Sequence, residues 1–378
     1  MKIRPLAAAI LTLGTLGAAT STLAETTMEA RIAELERQLE ALKSQVATNQ
    51  ETVVASHAEL QADIEEARPM KEGTKFQYGG YIQLDAIGTD YGEGKPGNDL
   101  IEDFLVPSLI PTGSSGSSSD SYTSTGLHAK TSRFFFTTKT NTDAGAISTR
   151  VELDFMLSGS GDERISNSWN SRIRHAFVNW EYSPGSSLMA GQSWSTFFNV
   201  GALPDVLDFV GPVGTLFVRQ PQVRWTMGGL QLAVENPATR LNQDSGGALS
   251  TSFDDFHEGI PDLVARYNGK MGDLGWSVAG LVRELAYETR SSSAVEEDSD
   301  SQMVYGLSVA GKRMFGDDDL RFMLNYGDGL GRYMGLNAFN DGYVTENGDV
   351  ETIDQLGAFI AYRHYWSPKW RSSFAYSY

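Results

Sequence analysis

Ile147-Ser148-Thr149-Arg150-Val151-Glu152-Leu153-Asp154-Phe155-Met156-Leu157 alternates strictly. Odd positions carry Ile, Thr, Val, Leu, Phe and Leu, and even positions carry Ser, Arg, Glu, Asp and Met. Side chains on a strand point to opposite faces every second residue, so this stretch predicts a strand with one apolar and one charged face. In a water-soluble sheet the apolar face would turn inward. The surrounding sequence favours the inverse, with lipid outside and water inside.

Comparable period-two runs lie at 75–92, 127–141, 172–182, 187–198, 217–227, 230–238, 261–270, 274–287, 302–314, 319–327, 354–366 and 369–378. Their connections fall into two alternating classes. Short turns stand at 142–145, 183–185, 228–229, 271–273, 316–318 and 367–368; long polar segments stand at 93–126, 159–171, 199–216, 239–260, 288–301 and 328–353. A sandwich has no reason to sort its loops this way, whereas an outer-membrane barrel has tight turns on one side and extended loops on the other. Aromatics near predicted strand ends, such as Phe76, Tyr78, Trp180, Tyr182, Trp225, Trp276, Tyr365 and Trp366, fit belts at the two membrane interfaces.

The composition agrees. The chain of 378 residues has 39 Gly, 18 Phe, 15 Tyr and 7 Trp, a formal net charge of −18 and no Cys. Beyond the first two dozen residues no apolar stretch is long enough for a spanning helix. The acidic balance disfavours nucleic acid as a partner. Without Cys, disulfides, thiolate catalysis and zinc-thiolate sites are excluded.

At the amino end, Lys2 and Arg4 precede the apolar run Leu6 to Leu16, and Thr22-Leu23-Ala24 offers small residues for cleavage, so residues 1–24 read as a secretory signal. Residues 28–66 follow with Ile32, Leu35, Leu39, Leu42, Val46, Asn49, Val53, Ser56 and Leu60 at spacings of three and four, the seam of a coiled coil. Such a stripe needs partners, which predicts a homotrimer joined through the coil and the barrel walls; an amphipathic helix lying on the barrel or the membrane is the other reading. Pro69 and Gly73 make 67–74 a linker, and 75–378 is the barrel domain. The expected partners are the lipid and lipopolysaccharide of a Gram-negative outer membrane, with the coil in the periplasm.

Phasing each strand by its apolar side turns Arg133, Lys139, Arg150, Arg172, Arg174, Arg224, Arg266, Arg283, Lys312, Arg321, Arg363 and Arg371 toward the lumen, against only Asp85, Glu152, Asp154, Glu235 and Asp262. A basic aqueous path concentrates anions, and a guanidinium fork holds a carboxylate by two hydrogen bonds. The segment Gly201 to Thr215 carries Leu203, Val206, Leu207, Phe209 and Val210 in a place where an external loop has little reason to be apolar. It is expected to fold inward as a constriction, with Pro204, Asp205, Asp208, Phe209 and Pro212 as its residues; burial against a neighbouring subunit is the alternative.

No enzyme is expected. The five histidines share no metal-ligand spacing, the serines of 113–121 lack a nucleophile elbow, and no cofactor or metal site is assembled. The acidic runs 296–300 and 317–319 read as solvated loop or turn faces. A structural or adhesive barrel with a coiled-coil stalk is the competing functional class.

The opening strand Gly79-Gly80-Tyr81-Ile82-Gln83-Leu84-Asp85 and the block Ala190-Gly191-Gln192-Ser193-Trp194-Ser195-Thr196-Phe197, continuing through Leu203-Pro204, Asp208-Phe209, Gly211-Pro212, Gly214 and Phe217-Val218-Arg219-Gln220-Pro221-Gln222, resemble the DcaP-like outer-membrane porins. The resemblance implies a trimeric sixteen-stranded channel for small anionic solutes such as dicarboxylates, with the third long loop as constriction. Thirteen strands with both ends outside would not close, so a further odd number of strands is expected beyond the sequence.

Overall fold

The computed structural model describes residues 73–96, 103–105, 110–112, 121–156, 161–162, 166–244, 249–253, 259–289, 298–335 and 339–378, together with Arg37, Leu39, Glu40 and Lys43. The chain divides into two units, 1–70 and 71–378. In the first, the four described residues are helical and exposed, and Lys43 approaches Glu40 at 3.6 Å. The signal expected at 1–24, nearly all of the coil at 28–66 and the serine run at 113–119 lie outside the described residues.

The second unit is built on one antiparallel sheet of 13 strands. They are β1 (Lys75–Tyr81), β2 (Arg133–Thr142), β3 (Gly145–Asp154), β4 (Arg172–Ser183), β5 (Ser186–Trp194), β6 (Arg219–Met227), β7 (Leu230–Glu235), β8 (Asp262–Met271), β9 (Leu274–Thr289), β10 (Asp298–Phe315), β11 (Asp318–Asp328), β12 (Asp354–Ser367) and β13 (Trp370–Ser377). Every strand pairs with the next in sequence order, so the sheet is a meander. Connections of two residues alternate with long ones at 82–132, 155–171, 195–218, 236–261, 290–297 and 329–353. The turn between β2 and β3 shows why the short side is short. Gly145 has φ 116°, and a Cβ there would stand 2.3 Å from the Glu181 carbonyl oxygen, so only glycine lets β4 pack against the turn.

Alternation decides which face is which. Ile147, Val151, Val178, Val223, Val278, Val282, Leu307, Leu324 and Ile360 are exposed, while their neighbours Glu152, Asp154, Ala279, Leu281, Met323 and Asn325 are buried. A sheet that sinks its carboxylates and exposes its valines is stable only where the outer solvent is hydrocarbon. Exposed Trp180 and Tyr182 lie beside the short turns, with the Trp180 indole donating to the Ala144 carbonyl at 2.8 Å and the Trp225 indole to the Tyr182 hydroxyl at 2.7 Å.

Small residues stand among the inward side chains of β7 to β12, and the long connections pack against them. Phe197, Phe198, Ala202, Val210, Leu216 and Phe217 of the third long connection form one buried cluster with Ala233, Val264, Ala279, Ala310, Met323 and Ala361 of the strands. The other loops also build structure of their own. Tyr122–His128 pairs with Asp85–Tyr91, and Leu241–Asp244, Leu249–Phe253, Gly342–Val344 and Val350–Thr352 form a four-stranded sheet. That small sheet rests on the ends of β9 and β10 through Leu241, Val344 and Val350 against Leu285, Tyr287 and Val304.

Three expectations are corrected. The run 75–92 is not one strand: residues 82–84 break it, and 85–91 leaves the main sheet for the loop ribbon. The second run starts at Arg133 rather than at 127, because 127–128 belongs to that ribbon. Asp319 is not a solvated turn residue; it faces inward from β11, almost fully buried among three basic side chains.

Candidate functional site

Inward residues of β2, β3 and β4 lie close together because the antiparallel register sets Glu152 on β3 opposite Phe135 on β2, two residues from Arg133, and Asp154 on β3 opposite Arg172 on β4. Arg174 donates from Nε to Glu152 at 2.8 Å and from Nη1 to Asp154 at 2.7 Å. Arg172 reaches Asp154 at 2.6 Å, Arg150 reaches Glu152 at 2.5 Å, and Arg133 stands 3.4 Å from Glu152. Depth separates the two signs. The side chains of Glu152 and Asp154 are 4% and 0% exposed, whereas that of Arg150 is 33% exposed. The carboxylates sit behind the guanidiniums of Arg133, Arg150 and Arg172, with Arg174 sunk beside them, so the face presented to water is positive.

Arg219, at the start of β6, joins this group from two strands beyond β4. It stacks 4.4 Å from the Trp194 ring and 5.7 Å from Phe217, and its buried Nη1 has no hydrogen-bond partner among the described residues. The phase that turns Arg224 inward assigns odd positions to the outer face, so alternation alone does not place Arg219 here; it reaches inward as the first residue of its strand.

Three of these arginines border a cavity of about 960 Å³. Arg133, Arg150, Arg174 and His175 line its wall side, and Val200, Leu203, Val206, Leu207, Asp208 and Phe209 of the third long connection line the other. Glu152, Asp85, Asp103 and Asp208 also border it, but each is engaged. Lys130 holds Asp103 by two contacts of 2.8 Å, and Asp85 accepts from Gln83 at 2.7 Å and from Thr131. Asp208 accepts the backbone N–H groups of Leu105, Val210 and Gly211, at 2.9, 3.1 and 3.2 Å. Phe209 packs between Phe104 and Phe217, with ring centroids 5.8 Å apart in each pair, and lies beneath the guanidiniums of Arg172 and Arg174.

A second basic group stands on the later strands. Asp319 on β11 is paired by Arg321 at 2.7 Å, by Lys312 at 3.8 Å and by Arg363. Here too the strand-borne acid is sunk, at 1% exposure. Arg321 also donates to the Leu203 carbonyl, and Asp205 of the same loop accepts from Arg371 at 2.7 Å with Arg363 at 3.5 Å. Arg371 holds the Asp205 carboxyl below the usual carboxylate range by hydrogen bonding and charge.

The remaining arginines serve otherwise. Arg266 donates to the Phe198 carbonyl at 2.7 Å and to that of Thr196 at 3.2 Å, which fixes the root of the third connection. Arg224 points at the Met189 sulfur, 3.1 Å away. Arg283 differs from the expected lumen residue: it is wholly enclosed, paired with Asp341 at 3.0 Å and Asp262 at 3.6 Å, and donates to the Gly329 and Ala238 carbonyls. The folded-over loops bury it, so it acts as a strut and offers no charge to solute. Pro204 is buried, and the Pro212 carbonyl accepts from the Thr215 hydroxyl at 2.6 Å in the turn that returns the loop to the wall. Among the described residues no group of three or more His, Cys, Asp and Glu could hold a metal ion.

A family model described as DcaP outer membrane protein matches residues 12–377. Among solved structures, the outer membrane channel DcaP of Acinetobacter baumannii is similar with a TM-score of 0.61 and 22% identity, over 82% of this chain and 79% of that one. Outer-membrane OmpT of Vibrio cholerae has a TM-score of 0.46 and 12% identity, over 82% and 76% of the two chains. An anion-selective porin from Comamonas acidovorans has a TM-score of 0.46 and 10% identity, over 80% and 78%. No curated protein matches the chain.

Proposed function

The chain belongs to the DcaP outer membrane protein family, a family of channels and not of enzymes, and from that premise we propose that it admits small anionic solutes, dicarboxylates in particular, through a basic path narrowed by the third long connection. Its place is the outer membrane of a Gram-negative bacterium. The observation that carries the anion preference is the depth separation of charge: guanidiniums of Arg133, Arg150 and Arg172 lie in front of the buried Glu152 and Asp154. A carboxylate entering there meets donors in planar forks and no unpaired acid. Ala202, Leu203, Phe209 and Val210 give the loop its grip on the inner wall, and Val206, Leu207 and Asp208 border the path.

We further propose a homotrimer, since the 28–66 stripe of Ile, Leu and Val needs partner helices to cover it. Native mass measurement in detergent checks this; a monomer would remove the idea.

The test of selectivity is the zero-current potential of the protein in a planar bilayer under a potassium chloride gradient. Anion preference is expected, and the pair Arg133→Gln with Arg150→Gln should reduce it strongly. Arg174 stays unchanged in that variant because it braces two buried carboxylates. A cation-preferring wild type would refute the reading, and a silent bilayer would favour a structural barrel instead.

A further inference from the structure

Four cations, Lys312, Arg321, Arg363 and Arg371, converge on two carboxylates from different parts of the chain. Asp319 is part of β11 and almost wholly buried, so its partners cannot lose it without unfolding the strand. Asp205 is carried on the loop and is 35% exposed, and its partner Arg371 is 52% exposed. One of its oxygens bridges two guanidiniums as a carboxylate from solution could: Oδ2 accepts from Arg371 Nε at 2.7 Å and lies 3.5 Å from Arg363 Nη1. The buried Arg363 Nε has no hydrogen-bond partner among the described residues, so the site holds donor capacity that Asp205 does not use. The other loop acid, Asp208, is by contrast consumed by three backbone N–H groups.

Resting on the anion-channel reading, we infer that Arg363 and Arg371, backed by Arg321, form a second carboxylate station on the wall of β11 to β13, which Asp205 occupies in the empty channel and yields to a carboxylate-bearing solute. An exposed ion pair is weak and easily exchanged, because water and salt compete for both partners. The loop stays in place during the exchange. It is held independently by Arg266 on the Phe198 carbonyl, by the Asn199 side-chain amide on the Ser277 hydroxyl at 2.8 Å, by the Asn325 amide on the Gly214 carbonyl at 2.8 Å, and by its buried aromatic cluster. Asp205 thus acts as a tethered competitor. It keeps the basic station from trapping solute, so a carboxylate binds there only while it displaces one already present.

Single-channel recording of Asp205→Asn, Asp205→Glu and wild type tests this, with succinate as the probe and potassium chloride as carrier. With Asp205→Asn the station is vacant, so succinate-induced closures should lengthen several-fold at about 0.1 M salt, where charges reach across about 10 Å. At about 1 M salt, where the reach is about 3 Å, open-channel conductance should match wild type. Asp205→Glu should behave as wild type, and adding Arg371→Gln to Asp205→Asn should remove most of the gain. Closures unchanged in Asp205→Asn, beside a wild type that prefers anions, would overturn the inference and leave the channel reading intact. So would a conductance raised equally at both salt concentrations, which would mean that the loop had come loose. A wild type without anion preference would overturn the channel reading, and this inference with it.

Discussion

The basic groups on β2 to β6 and on β10 to β13 use the same chemistry with different mechanical consequences. In the first, Glu152 and Asp154 both belong to β3, and the strand register delivers them to Arg172 and Arg174. In the second, one acid comes from a strand and the other from a loop. A strand-borne buried acid is a structural element: it holds like charges together that would otherwise repel. A loop-borne, half-exposed acid is a counter-ion that can leave. The contrast separates residues whose loss unfolds the wall from residues whose loss retunes the path.

The largest effect should follow from attacking the fixed acids. Asp154→Ala leaves buried Arg174 and its neighbour Arg172 without their shared carboxylate, and removing one partner of a buried ion pair costs about 3–5 kcal/mol. The measurement is the midpoint of thermal unfolding in detergent, and Asp205→Ala should move it far less, because an exposed pair contributes about 0–1 kcal/mol. Equal shifts for the two variants would break the comparison.

Next in size is the place where the loop returns to the wall. A Cβ at Gly357 would lie 2.1 Å from the Met334 Cε and 2.8 Å from the Gly214 Cα. Backbone cannot yield as a side chain can, so Gly357→Ala should destabilise by about 1–3 kcal/mol, the usual range for overpacking. It should also change conductance at every salt concentration, unlike a charge variant. If its effect disappeared at high salt, the loop would be held by ion pairs rather than by packing.

Smaller again is the selectivity shift of Arg133→Gln with Arg150→Gln, which should move the zero-current potential and leave unfolding nearly unchanged, since these side chains stand at the front of their cluster.

The smallest effect should come from pH. The Asp205 carboxyl is held below its ordinary 3.8 by Arg371, so the folded loop favours the charged form. Its stabilising contribution is complete above about pH 4 and is lost as pH falls through the lowered value. Anion selectivity should therefore be flat from pH 7 to pH 5 as far as this group decides, with wild type approaching Asp205→Asn only in stronger acid. A transition near neutral pH in wild type that is absent in Asp205→Asn would contradict the assignment.

How much of this was legible in advance depends on the range of the interaction. Strand alternation and the short turns, such as Thr142 to Gly145 and Gly228-Gly229, are local, and the wall strands follow them closely. The inward phase of Arg150, Arg321 and Arg363 is equally local, because a period of two leaves only one alternative. What those arginines do was not legible. Arg283 and Arg321 occupy equivalent phases, yet one is enclosed under two loops and the other braces the third loop.

Sequence alone therefore determined the strands, the sorting of turns from loops, the outward apolar face and the excess of basic residues on the inner one, all consequences of period and composition. Only the tertiary structure decided which charge meets which. Partners such as Asp205 and Arg371 stand more than a hundred residues apart in sequence, and their meeting depends on strand register, on the depth of each side chain and on how the third loop packs against small residues of the opposite wall. Those are properties of the assembled sheet, to which no single strand carries the information.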